Sequence, residues 1–353
     1  MSTMNEIFSK AIKDSELLRK AEVPWQPDEP FAQPYHIFDT MSSLWTAKTA
    51  HGQLVHQTGI TSIALYSWNI DFMLPFGEVR MKAALDHLGG LVKDLASTPW
   101  IAPVIFLQEC TPEDLITISS NPWVRQRFIL TDLDATYWAT NHYGTTVLLD
   151  TSLLVTSVFR VHYSQSRMDR DAFFVDVALG PDNGGKVVRI CNTHLESLAM
   201  DPPLRPAQVR LVAQYMHAEE VHAALAAGDF NAIQPFDRTL HKDNNLKDAF
   251  LEQNGKEDSE EGYTWGQQAA TKFREQFGCS RMDKVYYCGS LKLLEFIRFG
   301  QDTQLPEGTD GGPELKRRNE IVALGFDKPW ITDHLGILAK FDIVQRKEEG
   351  SHL

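Results

Sequence analysis

Short apolar runs closed by polar residues recur along the chain from Thr61 onward: TSIALYS, PVIFLQ, TTVLL, AFFVDVAL, KVVRICN, KVYYCG and LGILAKF. Runs of this length, rich in β-branched and aromatic residues, predict buried strands. The spacing of apolar residues between them predicts helices over 78–96 and 206–224. Strands in both halves with few long helices between them fit two packed sheets flanked by helices better than a regular βαβ ladder. Residues 252–262 (EQNGKEDSEEG) are acidic and polar, and 301–316 (QDTQLPEGTDGGPELK) are rich in Gly, Pro and charge, so both read as loops.

Ahead of the first run, residues 5–21 read as an exposed amphipathic helix. Pro24, Pro27, Pro30 and Pro34, interleaved with Trp25, Phe31 and Tyr35, predict an extended, wrapping arm. The organisation expected is a lead-in over 1–58, one catalytic domain over 59–345 and a polar tail over 346–353. No internal repeat or low-complexity tract interrupts it.

Composition narrows the class. A chain of 353 residues with 43% hydrophobic and 23% charged residues can bury a large core. The N-terminal stretch has no continuous hydrophobic run, which argues against a signal peptide or membrane anchor and for an intracellular protein, nuclear or cytoplasmic. Cys110, Cys191, Cys279 and Cys288 lack the CxxC spacing of zinc or redox sites and read as reduced thiols. A net charge of -13 counts against coating nucleic acid through a broad basic face, because such binding draws on counterion release from many phosphates. A cleft around one phosphate remains compatible with that charge. Lys316, Arg317 and Arg318 form a short basic run that reads as a solvated loop rather than a nuclear signal. Oligomeric state has no signature in the sequence.

The candidate chemistry sits where apolar strands end. TSIALYS runs into Trp68, Asn69, Ile70 and Asp71; PVIFL into Gln108 and Glu109; VVRICN into Thr193, His194, Leu195 and Glu196; ALAAG into Asp229, Phe230 and Asn231. Arg281, Met282 and Asp283 precede KVYYC, and Asp333 and His334 precede LGILAKF. Packed side by side, such strands bring their ends to one rim. Glu109 and Asn69, joined by Asp71, offer the hard oxygens that Mg²⁺, or Mn²⁺, prefers. Asp229 suits the orientation and deprotonation of an attacking water, with Asn231 donating a hydrogen bond to Asp229 or to a phosphate oxygen. His194 and His334 suit donors to phosphoryl oxygens, and Asp283 or Asp333 could hold His334 in the needed tautomer and favour its cation.

Each residue taken singly has a plainer reading. Asn69 alone is a turn residue; Glu109 alone is a charge near a helix start, with Thr111 capping and Pro112 in the first turn; GDFN alone is a turn; His194 alone is a hydrogen-bonded core histidine. Their coincidence at successive strand ends is what turn chemistry does not explain.

The ordered set WN, QE, THLES, GDFN, RMDKV and TDH, over roughly residues 60–342, resembles the endonuclease/exonuclease/phosphatase superfamily. SWNID, FLQE, THLES and GDFN together are similar to its tyrosyl-DNA phosphodiesterase 2 group. The resemblance implies a four-layer α/β sandwich, two packed mixed sheets flanked by helices, with the site on one rim. It implies that Glu109 is the magnesium ligand beside Asn69 and Asp71, Asp229 the catalytic aspartate with Asn231 its partner, and His194 and His334 phosphate contacts. It implies that Trp265 in YTWG, Met282 in RMDKV, Ser197 closing THLES and Asn69 are substrate contacts. The family's WNID is usually followed by glycine; Phe72 stands here, which predicts a differently shaped loop leaving the metal site. No ubiquitin-binding module is evident, since the lead-in is too short and proline-broken for one.

The expected function is Mg²⁺-dependent phosphodiester hydrolysis, on a 5′-tyrosyl-DNA end of the DNA-repair type. The rivals are a phosphodiesterase or phosphatase acting on a small phosphate ester or RNA end, and a catalytically inactive binding module. The last would lack the metal carboxylate or the base, and Glu109, Asp229 and His334 are all present.

Overall fold

The structure, a computed structural model, describes Lys13, residues 16–49, 59–178 and 186–344. The tail expected over 346–353 and most of the helix expected over 5–21 lie outside the described residues; Lys13 and residues 16–18 are helical.

Two mixed sheets of seven and eight strands stand face to face among the described residues. In order across the first are Pro30–Ala32 (β1), Val155–His162 (β8), Asp171–Ala178 (β9), Val187–His194 (β10), Val221–Asp229 (β11), Asp283–Gly289 (β13) and Lys247–Asp248 (β12). Across the second are Leu291–Phe299 (β14), Gly336–Ile343 (β15), Ser62–Asn69 (β4), Ile101–Cys110 (β5), Gly144–Asp150 (β7), Phe128–Leu130 (β6), Tyr35–Asp39 (β2) and Leu44–Lys48 (β3).

Each sheet contains one parallel pair, β4 with β5 and β10 with β11. These strands are buried on both faces, which is why they read as continuous apolar runs. Along β4, Ile63 and Leu65 enter the core between the sheets, where they meet Val104, Phe106, Val175, Ile190 and Leu225. Ala64, Tyr66 and Trp68 point the other way, onto the helix Gly77–Lys93 (α1), which buries Met81, Ala84, Leu85, Leu88 and Val92 at helical spacing. The helix Pro112–Ser120 (α2) joins that layer, with Thr111 and Asp114 forming a reciprocal capping box. On the opposite side, Val209, Val212, Ala213 and Met216 of the helix Arg205–Met216 (α4, after the short α3 at Pro122–Arg127) cover Cys191, Ala224 and Ala226. The result is the helix–sheet–sheet–helix order that the strand pattern implied.

Two expected boundaries move. The helix expected over 206–224 ends at Met216, and Val221–Asp229 is a strand. Its alanines suit a helix by propensity, but β10 and β13 pair with it on either side and tertiary pairing decides. The loop expected over 301–316 gives way to a helix at Pro313–Ala323, begun by Pro313 at its first turn. The proline-rich arm feeds both sheets: β1 pairs with β8, and β2 pairs with β6. Trp25 is buried there, stacked on His162 with centroids 4.0 Å apart. No described helix is long and apolar enough to cross a membrane.

Candidate active site

The two parallel pairs end at the same rim. Asn69 lies beside Gln108 at the end of β4 and β5, His194 beside Asp229 at the end of β10 and β11, and antiparallel β13 begins there with Asp283 opposite Asp229. Thr332, before β15, donates its hydroxyl to the Asn69 carbonyl at 2.8 Å and fixes the segment that carries Asp333 and His334. Local backbone geometry is unusual at this rim. Asp71, Glu109 and Asn231 all adopt left-handed conformations, with φ of 56°, 57° and 46°. Strain of this kind in non-glycine residues persists only where the surroundings impose it. Gly228, at φ 146°, has no alternative: a Cβ there would lie 1.8 Å from the Thr193 carbonyl oxygen.

Asn69 is the hub. Its Nδ2 donates to Glu109 Oε1 at 3.2 Å and to Asp229 Oδ2 at 3.0 Å, while its Oδ1 accepts the Asp71 amide at 2.9 Å. Glu109 Oε2 accepts the Phe72 amide at 3.1 Å, and Asp71 Oδ1 the Met73 amide at 3.0 Å. Phe72, where the family pattern has glycine, stacks on Tyr143 at 4.2 Å and walls the loop there. Arg80, buried in α1, donates to the carbonyls of Ile70, Asp71, Leu74 and Ile331, so the loop carrying Asp71 is clamped from behind.

Asp229 Oδ1 accepts the Asn231 amide at 2.8 Å. His194 Nε2 is 3.4 Å from Asp229 Oδ2 and His334 Nε2 is 3.7 Å from it. His334 Nδ1 bonds Asp283 Oδ2 at 2.8 Å. The Asn231 side chain is engaged elsewhere, donating to the Leu195 carbonyl at 3.1 Å and accepting from Ser197 Oγ at 3.0 Å. Asn231 therefore fixes Asp229 through its backbone N–H.

Charges are set by these neighbours. Burial alone would raise the Asp229 carboxyl, but His334 and His194 outweigh it and hold the group well below the usual carboxylate range. Burial would depress His334; Asp283, Asp229 and Asp333 together prevail and raise it well above an ordinary histidine. Asp71 is pushed well up by burial and by the charges of Asp333 and Glu109, against Arg80. Asp333 is raised by burial too, with Glu109 and Asp229 adding to it, although His334 and the Trp265 indole oppose the shift. The Glu109 charge thus burdens both Asp71 and Asp333, a condition that a divalent cation on hard oxygen donors relieves. Ligand atoms of Glu109, His194 and Asp229, and those of Asp229, Asp283 and His334, lie within 4.8 Å of one another in each group; Glu109 is the carboxylate of these that shares its corner with Asp71, which belongs to neither group.

A cleft of about 640 Å³ opens over these residues, with Asp71, Glu109, Asp229, Asp333 and His334 in its lining. Trp265, Met282 and Ser197 line it as well. Trp265 is anchored by its indole N–H, 2.7 Å from Asp333 Oδ2. Glu196 of THLES faces away from the cleft: fully buried, it accepts from Ser166 Oγ at 2.7 Å and the Arg167 amide at 3.0 Å.

One residue of the rim escaped the strand-end pattern. Arg170 stands just before β9, donates to His194 Nδ1 at 2.6 Å and lies over the Tyr143 ring at 5.3 Å. Because β9 is antiparallel to β10, its start is at the rim; a basic residue ahead of AFFVDVA was the available signal. Arginine can only donate, so Nδ1 accepts and the His194 proton sits on Nε2. That Nε2 is buried without a hydrogen-bond partner and faces the space between Asp229 and Glu109.

A family model described as Endonuclease/Exonuclease/phosphatase family matches residues 66–334. Among solved structures, TDP2 from Caenorhabditis elegans is 22% identical, with 80% of this chain and 74% of that one covered and a TM-score of 0.56. TDP2 of D. rerio, crystallised with single strand DNA product, is 19% identical over 80% of this chain and 99% of that one, TM-score 0.55. The human Nocturnin catalytic domain, with a bound sulfate anion, is 17% identical over 80% and 94%, TM-score 0.51. At these identities the likeness is one of fold. No curated protein sequence matches the chain.

Proposed function

The chain belongs to the endonuclease/exonuclease/phosphatase family, and from that premise we propose that it is a divalent-metal-dependent phosphodiesterase that hydrolyses a 5′-tyrosyl-DNA end. The observation that carries the chemistry is the bridge made by Asn69, whose one carboxamide nitrogen binds both Glu109 and Asp229. It couples a carboxylate suited to a metal to a carboxylate suited to water.

In this reading Glu109 and Asp71 would hold Mg²⁺ or Mn²⁺; Asn69, expected to add an oxygen ligand, instead turns its Nδ2 to Glu109 and its Oδ1 to the Asp71 amide and so positions that corner, to which Asp333 adds negative charge. A cation bound there supplies Lewis-acid polarisation of a phosphoryl oxygen. Asp229, kept ionised by His334 and His194, accepts a hydrogen bond from the attacking water and turns its lone pair toward phosphorus. Its depressed proton affinity makes it an orienting group first and a proton acceptor second. His334, held cationic with Nδ1 on Asp283, and His194, whose Nε2–H has no partner, donate to the phosphoryl oxygens as charge builds. Asp283 fixes the His334 tautomer, and the Asn231 amide fixes Asp229.

The tyrosyl-DNA assignment rests on the THLES and WNID motifs and on Trp265, Met282 and Ser197 in the cleft wall; Asn69, expected as a further contact, is buried behind it on Glu109 and Asp229. The shared fold with a TDP2 that was crystallised with single strand DNA product supports a nucleic-acid end as substrate. A small phosphodiester or an RNA end is the second reading, favoured by the net charge of -13 and by the exposed apolar lip of Ile233, Phe273 and Phe277 on the cleft. Turnover of a 5′-tyrosyl oligonucleotide and of bis-p-nitrophenyl phosphate with Mg²⁺ tests the proposal. Release of tyrosine with a 5′-phosphate supports it; hydrolysis of the small ester alone favours the second reading, and no hydrolysis of either removes the enzyme assignment.

A further inference from the structure

The segment ahead of the arm reaches the active site through a short relay. Arg19 forms an antiparallel bridge with Thr140, and the Lys20 amide donates to the Ala139 carbonyl at 3.0 Å. Lys20 Nζ adds bonds to the carbonyls of Ala135 at 2.5 Å and Thr136 at 3.0 Å. The loop so held turns at Thr140, whose hydroxyl accepts the His142 amide, and delivers Tyr143 to the rim. The Tyr143 hydroxyl donates to the Met168 carbonyl at 3.2 Å, joining this loop to the one that carries Arg170.

Arg19 also acts on that second loop directly. Its Nε donates to Asp169 Oδ1 at 2.5 Å. The Asp169 carboxylate is 8% exposed, its Oδ2 has no hydrogen-bond partner, and its backbone is left-handed at φ 57°. It immediately precedes Arg170, whose guanidinium is buried, whose Nε is also without a partner, and whose Nη1 serves His194. A buried carboxylate one residue from a buried guanidinium is a natural competitor for it, because an unpaired buried charge costs more than almost any rearrangement that pairs it. Arg19 removes that competition by occupying Asp169.

We propose that Arg19 and Asp169 are positioning residues: docking of the N-terminal segment neutralises Asp169, which leaves Arg170 committed to Nδ1 of His194 and so keeps the His194 proton on Nε2, facing Asp229. When the segment is undocked, Asp169 captures Arg170 and His194 loses its fixed tautomer. The inference deepens the phosphodiesterase reading and rests on it for its consequence in turnover, but the change at His194 is independent of that reading.

The test combines Arg19→Ala, Arg19→Lys and the double variant Arg19→Ala with Asp169→Asn in the full chain. Histidine ¹⁵N–¹H NMR, with the His194 signals assigned through His194→Gln, reports the tautomer without any substrate. Steady-state hydrolysis of bis-p-nitrophenyl phosphate with Mg²⁺ reports kcat and KM. Arg19→Ala is expected to populate the Nδ1–H form of His194 and to lower kcat by about 10–100-fold, the usual effect of losing a group that orients a site residue, with KM nearly unchanged. Arg19→Lys should retain most of the wild-type behaviour. Removing the competing carboxylate in the double variant should restore both the tautomer and kcat, whereas a merely structural ion pair predicts no restoration. An Arg19→Ala protein with the wild-type His194 signals, or a double variant that stays as impaired as the single one, overturns the proposal. If the wild type shows the expected His194 tautomer shifts among variants but no hydrolysis, the phosphodiesterase reading fails and the relay stands.

Discussion

His334 Nδ1 and Asp283 Oδ2 are 2.8 Å apart, and Asp283 is buried at the start of a strand whose other neighbour at that level is Asp229. The pair gives His334 one fixed tautomer and a second carboxylate to stabilise its cation, while Nε2 is left to face Asp229 and the cleft.

Its pH signature follows from the sign of the shift. The folded His334 binds its proton well above the ordinary range, so the cation persists through neutral pH and is lost only as pH rises through that raised value. If the cation is the active form, the alkaline limb of kcat against pH reports it. Asp283→Asn removes the charge that raises it most and should move that limb toward lower pH, with kcat down by about 10²–10⁴-fold. A limb in its wild-type place would assign it to another group.

Glu109 and Asp229 should separate by their response to metal. Glu109→Gln keeps an oxygen for the Phe72 amide but loses the charge, so the Mg²⁺ concentration needed for half-maximal activity should rise steeply and turnover should nearly vanish. Asp229→Asn should leave the Mg²⁺ requirement close to wild type and slow the chemical step by about 10²–10⁴-fold. Titration of Mg²⁺ and Mn²⁺ with and without EDTA compares them. Full activity of the metal-stripped wild type would refute the metal site.

A third expectation concerns stability rather than turnover. His162 is sandwiched between Trp25 of the arm and the buried Arg160–Asp171 pair, and burial is the main reason its folded pKa falls to about 4. The native state refuses a proton that the unfolded chain accepts near pH 6.5, so this contribution to stability is intact above that pH and is lost as pH falls toward about 4. The shift corresponds to about 3 kcal/mol over that window. His162→Phe keeps a ring against Trp25 and should flatten the loss of Tm between pH 6.5 and 4. An unchanged slope would place the acid sensitivity elsewhere.

The fold was legible wherever a strand is buried on both faces by apolar side chains. β4, β5 and β10 announce themselves, and the polar residues ending them, Asn69, Glu109 and His194, meet because the two parallel pairs end on one rim. β8 and β14 do not. β8 carries Arg160, fully buried and paired with Asp132 and Asp171, which breaks its apolar run. β14 is an edge strand with Lys292, Glu295 and Arg298 among its residues, and its alternation is diluted accordingly. The alanines of β11 carry helical propensity that only pairing with β10 and β13 overrides. Arg170 precedes its apolar run as Asp283 and His334 precede theirs, but an arginine there offers neither a metal ligand nor a general base to single it out until its contact with His194 is seen. The engagement of Asn231 through its amide depends on a left-handed backbone that the letters GDFN permit without specifying.

Substrate choice turns on Trp265. Its indole N–H is held by Asp333 at 2.7 Å, and its ring is half-buried in the cleft wall with Phe277 at 6.5 Å. Two roles are therefore superimposed: the ring can stack on a terminal base, and the N–H offsets the burdened charge of Asp333 beside Glu109. Trp265→Phe keeps the ring and loses the donor, whereas Trp265→Ala loses both. Stacking is worth about 1–3 kcal/mol per base, so Trp265→Ala should weaken use of a tyrosyl oligonucleotide by roughly 5–150-fold relative to a small chromogenic diester, which presents no base. Trp265→Phe should largely preserve that preference while impairing both substrates alike through Asp333. The acidic surface further predicts a shallow salt dependence of apparent affinity, because few phosphates are engaged. Measuring kcat/KM for both substrates across a salt series separates the contributions. Equal losses on the two substrates in Trp265→Ala would show that the indole serves Asp333 alone and would shift the assignment to the small-phosphodiester reading.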